Sequence, residues 1–157
     1  MNFVKDRQIT DAILIANETI DMWEKQKTRG FVFKIDIEKA FDRINWKFID
    51  FLLKKKGLPK KWRQWTKSYI TTVQYSILIN GKPRGKIKPK RGIRQGDPIS
   101  PFIFVLAMDY LSYLLKHLEN LNKIKGTIIK DINLTHLLFK DDILLFIQDD
   151  DESIGNL

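Results

Sequence analysis

Asp36 stands near the end of an apolar run, Phe31-Val-Phe-Lys-Ile-Asp-Ile37, and Asp141 with Asp142 interrupts another between Leu134 to Phe139 and Ile143 to Ile147. Apolar segments that deliver bare carboxylates are costly unless something compensates the charge. Two unit charges about 4 Å apart repel by about 4 kcal/mol at an effective dielectric of about 20. Gathered acids are therefore protonated, paired with a cation or bound to a metal. Hard oxygen donors without sulfur or imidazole select Mg2+ or Mn2+ over zinc. Two such ions about 3.5–4 Å apart clamp the attacking and leaving oxygens of a phosphoryl displacement. Asp-Asp at a turn is equally ordinary turn chemistry, so spacing alone leaves both readings open.

Other chemistries are poorly supplied. The absence of Cys removes disulfides, thiolate nucleophiles and Cys-based zinc sites. His117 and His136 are the two imidazoles, and nothing places either beside a Ser nucleophile with an orienting carboxylate. His136 precedes the acidic pair and reads as a half-buried, hydrogen-bonded side chain. The acidic run Asp149-Asp-Asp-Glu152 reads as solvated charge.

Charge is unevenly spread along the 157 residues, which carry a net charge of +9. Between Lys54 and Arg94 there are 14 Lys or Arg and no acid, whereas Asp131 to Leu157 holds seven acids against Lys140. The basic belt is interleaved with Trp62, Trp65, Tyr69 and Tyr75. That pattern suits a nucleic-acid groove, with cations on phosphates and rings against bases, although core aromatics behind a solvated helix face would give the same composition.

These side chains need positioning elements. Ile13, Ala16, Ile20 and Trp23 lie on one face of a helix closed by Gly30. Phe31 to Ile37 alternates as a strand with Lys34 and Asp36 on one face. Asn45 caps a helix that stops at Gly57, another starts at Pro59, and Asn80-Gly81 offers a type I′ turn. Ser100-Pro101 opens a helix apolar on all sides through Met108, read as buried deep in the core. Past Gly126, the two apolar runs around Lys140-Asp141-Asp142 form a hairpin with a charged tip. Helices and strands without regular βαβ repetition give an α+β class with a mainly antiparallel sheet packed against helices.

The blocks Phe33-Lys-Ile-Asp-Ile-Glu-Lys-Ala-Phe-Asp42, Arg91-Gly-Ile-Arg-Gln-Gly-Asp-Pro-Ile-Ser-Pro101 and Leu137-Leu-Phe-Lys-Asp-Asp142 resemble, in order and spacing, those of reverse transcriptases. Arg7-Gln-Ile-Thr-Asp-Ala-Ile-Leu-Ile-Ala-Asn17 and Ser76-Ile-Leu-Ile-Asn-Gly81 extend the resemblance to the non-LTR (LINE-type) retrotransposon group, most of all to plant copies. The resemblance covers nearly the whole chain. It implies a fingers-and-palm core and RNA-directed DNA synthesis: a primer 3′-hydroxyl attacks the α-phosphate of a deoxynucleotide opposite an RNA template. Asp36, Asp141 and Asp142 would be the catalytic, Mg2+- or Mn2+-binding carboxylates, with the Ile37 carbonyl touching one ion. Phe41 matches the steric-gate aromatic that excludes a ribose 2′-hydroxyl. Gln95 and Gly96 match the pair that lies against the template and nascent base pair, where the plain alternative is a turn. Arg7 and Lys34 are candidates for phosphate contact or simply surface charges.

The residue before the acidic pair is usually small or apolar in that family, and here it is Lys140. Its ammonium would compete with a metal for Asp141 unless its stem carries it to solvent. The resemblance also implies a single partial domain over residues 1–157, beginning inside the fingers and lacking thumb and endonuclease segments, which flanking or separate chains would supply. A remnant that only binds nucleic acid through its basic belt is the alternative. The longest apolar run, Phe102 to Met108, is far short of the roughly 20 residues that cross a bilayer, and the N-terminus lacks a secretory pattern. No membrane partner is expected, and the location is expected to be intracellular, with nothing choosing between nucleus and cytoplasm.

Overall fold

The computed structural model describes residues 9–27, 29–129, 132–139, 142–149 and 155. The chain divides into two compact units, residues 1–38 with 108–157, and residues 39–107. In the first unit, α1 (Ile9–Gln26) precedes β1 (Gly30–Asp36), and the last part of α5 (Ser100–Asn120) leads to β4 (Thr127–Ile129), β5 (Ile132–Leu134), β6 (His136–Phe139) and β7 (Asp142–Gln148). The second unit holds α2 (Ala40–Arg43), α3 (Trp46–Lys55), α4 (Lys60–Thr71), β2 (Tyr75–Ile79), β3 (Lys82–Ile87) and the start of α5.

The sheet that matters most has the order β1-β7-β6, antiparallel throughout. Its central strand is buried where its apolar residues fall, at Ile143, Leu145, Phe146 and Ile147. Phe146 and Trp23 of α1 meet edge to face with centroids 6.2 Å apart, and Ala16 completes the cluster. The Trp23 indole donates to Thr127 Oγ1 at 2.6 Å, which satisfies its buried N–H. Gly30 permits this packing, because a Cβ there would lie 2.7 Å from the Trp23 ring.

Two expectations about helix faces are corrected. Along α1, Ala16, Thr19 and Trp23 are buried while Ile13 and Ile20 are exposed. The seam is rotated toward Thr19, whose hydroxyl is spent on the Ile15 carbonyl one turn back, so the side chain buries almost like an apolar one. Helix α5 runs much further than Met108 and is amphipathic: Ile103, Phe104, Met108 and Leu115 are buried, but Phe102 and Tyr113 are exposed. The apolar run Leu134 to Phe139 also divides at Thr135. Leu134 pairs back with Thr127 in β4, and β6 starts at His136.

The second unit follows its local signals closely. Asn45 caps α3 by accepting from the Lys47 N–H at 2.8 Å. Helices α3 and α4 are tied by Arg63, which donates from Nε and an Nη to both Asp50 oxygens at 2.9 and 2.7 Å, and this holds the Asp50 carboxyl below its usual pKa. Strands β2 and β3 pair through a turn in which Asn80 and Gly81 have φ of 51° and 74°, as a type I′ turn requires.

Candidate active site

Strand pairing decides which acids meet. The β1–β7 register runs from Gly30 opposite Gln148 to Asp36 opposite Asp142. Directly opposed residues point to the same sheet face, with Cβ atoms about 4.5–5.5 Å apart. Lys34, two residues before Asp36, shares that face, and its Nζ lies 3.5 Å from Asp142 Oδ1. The other end of the face lies under α1, where Gly30 and Phe146 meet Trp23. One end of a single surface is thus apolar and covered, and the other presents two carboxylates and an ammonium.

Asp142 belongs to β7 itself, paired with both Phe139 and Asp36, so it is held by ladders on either side. Asp141, Lys140 and Arg7 lie outside the described residues. Ile37 follows β1 directly and is half-buried. Among the described residues no group of three or more His, Cys, Asp or Glu gathers. The donor set that does meet, two hard carboxylates, fits a hard divalent cation. With Lys34 beside it, Asp142 already has one of the compensations that clustered acids need.

Phe41, Gln95 and Gly96 belong to the second unit. The Phe41 ring stacks on Phe104 with centroids 4.7 Å apart. The backbone from Phe41 to Trp46 is laced to the last residues of the basic belt: Ile93 N–H donates to the Phe41 carbonyl at 2.8 Å, Gly92 N–H to the Ile44 carbonyl at 2.8 Å, and the Trp46 indole to the Gly92 carbonyl at 2.7 Å. Trp46 and Gly92 are bracing residues that sequence reasoning missed, since neither carries a chemical signal of its own. Gly92 has φ of 92°, and a Cβ on it would lie 2.6 Å from the Asp42 carbonyl oxygen. Gly92→Ala is expected to destabilise the chain by about 1–3 kcal/mol from backbone strain alone, read as a lower urea midpoint. An unchanged midpoint would show that this segment shifts freely.

Gln95 and Gly96 form an exposed turn ahead of α5. Gly96 has φ of 94° with open space where a Cβ would stand, so the turn demands glycine whether or not another chain approaches. Arg94 Nε donates to Asp97 across it at 2.8 Å. His136 is half-buried as expected, with Ser112 Oγ 2.7 Å from Nε2 and Thr135 Oγ1 2.9 Å from Nδ1. Burial, reinforced by the nearby Lys116 charge, lowers its pKa, so the neutral ring is favoured and its role is structural.

The description "Reverse transcriptase (RNA-dependent DNA polymerase)" belongs to a family model that matches residues 1–157. A retrovirus-related Pol polyprotein from the type-1 retrotransposable element R2 of Popillia japonica is 30% identical over 132 residues, covering 84% of this chain and 21% of that protein. Its counterpart in Nasonia vitripennis is 31% identical over 123 residues, 77% of this chain and 11% of that protein. An uncharacterised mitochondrial protein of Arabidopsis thaliana is 40% identical over 68 residues, 42% of this chain and 56% of that one. The chain therefore spans little more than half of one relative and between 11% and 21% of the two polyproteins. In structure it is similar to apo telomerase from Candida tropicalis, with a TM-score of 0.62 and 19% identity over 96% of this chain and 30% of that one. At that identity the likeness is one of fold, the α+β fold of reverse transcriptases.

Proposed function

Because the chain belongs to the reverse transcriptase (RNA-dependent DNA polymerase) family and its homologues are Pol polyproteins of non-LTR retrotransposons, we propose that it carries the polymerase centre of such a protein. The observation that carries this reading is the register that sets Asp36 opposite Asp142 with Lys34 at the same end of the face. In the proposed reaction a primer 3′-oxygen bonds to the α-phosphorus of a deoxynucleotide opposite an RNA template. The bond to the β-phosphate oxygen breaks, pyrophosphate leaves, and the hydroxyl proton is lost.

Asp36, Asp142 and Asp141 would hold Mg2+ or Mn2+, together with the Ile37 carbonyl. Such ions supply neutralisation of the phosphate charge and acidification of the attacking hydroxyl. The chain's own part is positioning. Strands β1 and β7 fix two carboxylates at opposed ladder positions, and Lys34 offers a cation to a phosphate oxygen, as Arg7 would. Phe41, held by its stack on Phe104, serves as the gate against a 2′-hydroxyl, and Gln95 with Gly96 serves the template side.

The test is extension of a DNA primer on an RNA template by the full chain, with Mg2+ and with a chelator. Product that needs the RNA template, deoxynucleotides and metal together supports the reading; binding of primer-template with no product under any divalent ion favours a remnant that only binds. Lys140→Ala is expected to raise Mg2+-dependent extension, because it removes a cation adjacent in sequence to the acidic pair. Equal rates in both proteins would show the lysine to be harmless.

A further inference from the structure

Helix α4 has a face that its own packing does not use. Trp62, Trp65 and Tyr69, at offsets of 3 and 7, fall within about 60° of one another around the helix, and they are 57%, 52% and 41% exposed. The helix is buried instead through Thr66 and Ile70. Trp62 and Trp65 meet edge to face with centroids 5.4 Å apart. Two cations cap the stripe: Lys61 Nζ lies 5.0 Å from the Trp65 ring centre, and the Arg94 guanidinium lies 5.9 Å from that of Tyr69. Lys54 to Arg94 contains no acid. The neighbouring carboxylates, Asp50 and Asp97, are tied to Arg63 and Arg94.

We propose that this face of α4 is a stacking platform for single-stranded nucleic acid. Rings exposed at this cost in apolar surface need a partner with flat apolar faces. Lys61 laid across the Trp65 ring, in a stretch from Lys54 to Arg94 without an acid, calls for that partner to be anionic. A single strand offers both, because its unpaired bases present π-faces and its phosphates run alongside. A duplex hides its base faces in the stack. A protein partner fits less well, since lysine is depleted at the core of protein interfaces, and here lysine lies on the ring itself. The proposal does not depend on catalysis.

Fluorescence anisotropy with a labelled oligouridine or oligothymidine of about 12 nucleotides, titrated with the full chain at two salt concentrations, tests it. Trp62→Ala with Trp65→Ala is expected to weaken binding about tenfold or more without changing the salt slope, since no charge is removed. Trp62→Phe with Trp65→Phe keeps rings at both positions and is expected to bind close to wild type, which separates lost stacking from lost folding. Affinity of the alanine pair within twofold of wild type would overturn the platform. So would equal or tighter binding of a duplex of the same length, or failure of the wild-type chain to bind single strands. A self-associated wild type that the alanine pair renders monomeric, with affinity for the strand unchanged, would assign the face to a second copy of the chain instead.

Discussion

Asp36→Asn is expected to lower Mg2+-dependent extension of a primer on an RNA template by on the order of a hundredfold to a thousandfold, the loss typical when one preorganised charge-stabilising group is removed. Stability should barely move. Asp36 is exposed at the last position of β1, and its replacement removes one of two like charges set opposite each other across the ladder. A surface change that also relieves repulsion stays within about 0.5 kcal/mol. Asp142→Asn is expected to match the loss of extension, but it also removes the carboxylate that Lys34 approaches at 3.5 Å, so Asp36 is the cleaner probe. Asp21→Asn, an exposed acid on α1, is the control for net charge. Comparable extension by wild type and Asp36→Asn, with Asp21→Asn also unchanged, would remove the catalytic reading of this end of the sheet, whatever nucleic acid the chain binds.

Asp36 and Asp142 stood out in the sequence as charges at the ends of apolar runs, although β1 proves exposed from Phe31 to Asp36, and the alternation of β1 put Lys34 and Asp36 on one face, as the pairing has them. Which residue Asp36 would face was not legible. Register depends on long-range pairing, and a slip of one residue would have carried Asp142 to the other side of the sheet. Local signals with local causes held, as at the Asn45 cap and the Asn80-Gly81 turn. Helix faces did not, because the buried side is chosen by what packs against it. Ile13 and Ile20 are more apolar than Thr19, yet Thr19 lies in the seam with Ala16 and Trp23. The aromatic stripe of α4 was visible as composition, but its exposure was not, since the same residues would have served a core equally well.

Phe146→Ala is expected to cost about 3–5 kcal/mol, the range for emptying a buried aromatic site. Against a total stability of about 5–15 kcal/mol, this removes a large share of what keeps the chain folded. Phe146 has no exposed surface, sits in the middle strand of the three, and closes on Trp23 of α1. Its backbone N–H also donates to the Thr135 carbonyl at 2.9 Å, joining β7 to the residue ahead of β6. Asp142, Leu144 and Phe146 alternate along one face of β7, so the side chain that anchors the strand under α1 shares its face with the carboxylate at the far end. A lower urea midpoint should therefore appear together with a loss of extension larger than the unfolded fraction explains, because the remaining folded molecules hold β7 less firmly. Phe146→Leu, which keeps most of the volume, is expected to recover most of both losses. Specific activity per folded molecule equal to wild type in Phe146→Ala would show that Asp142 is positioned by its ladder partners alone, without help from the packing beneath α1.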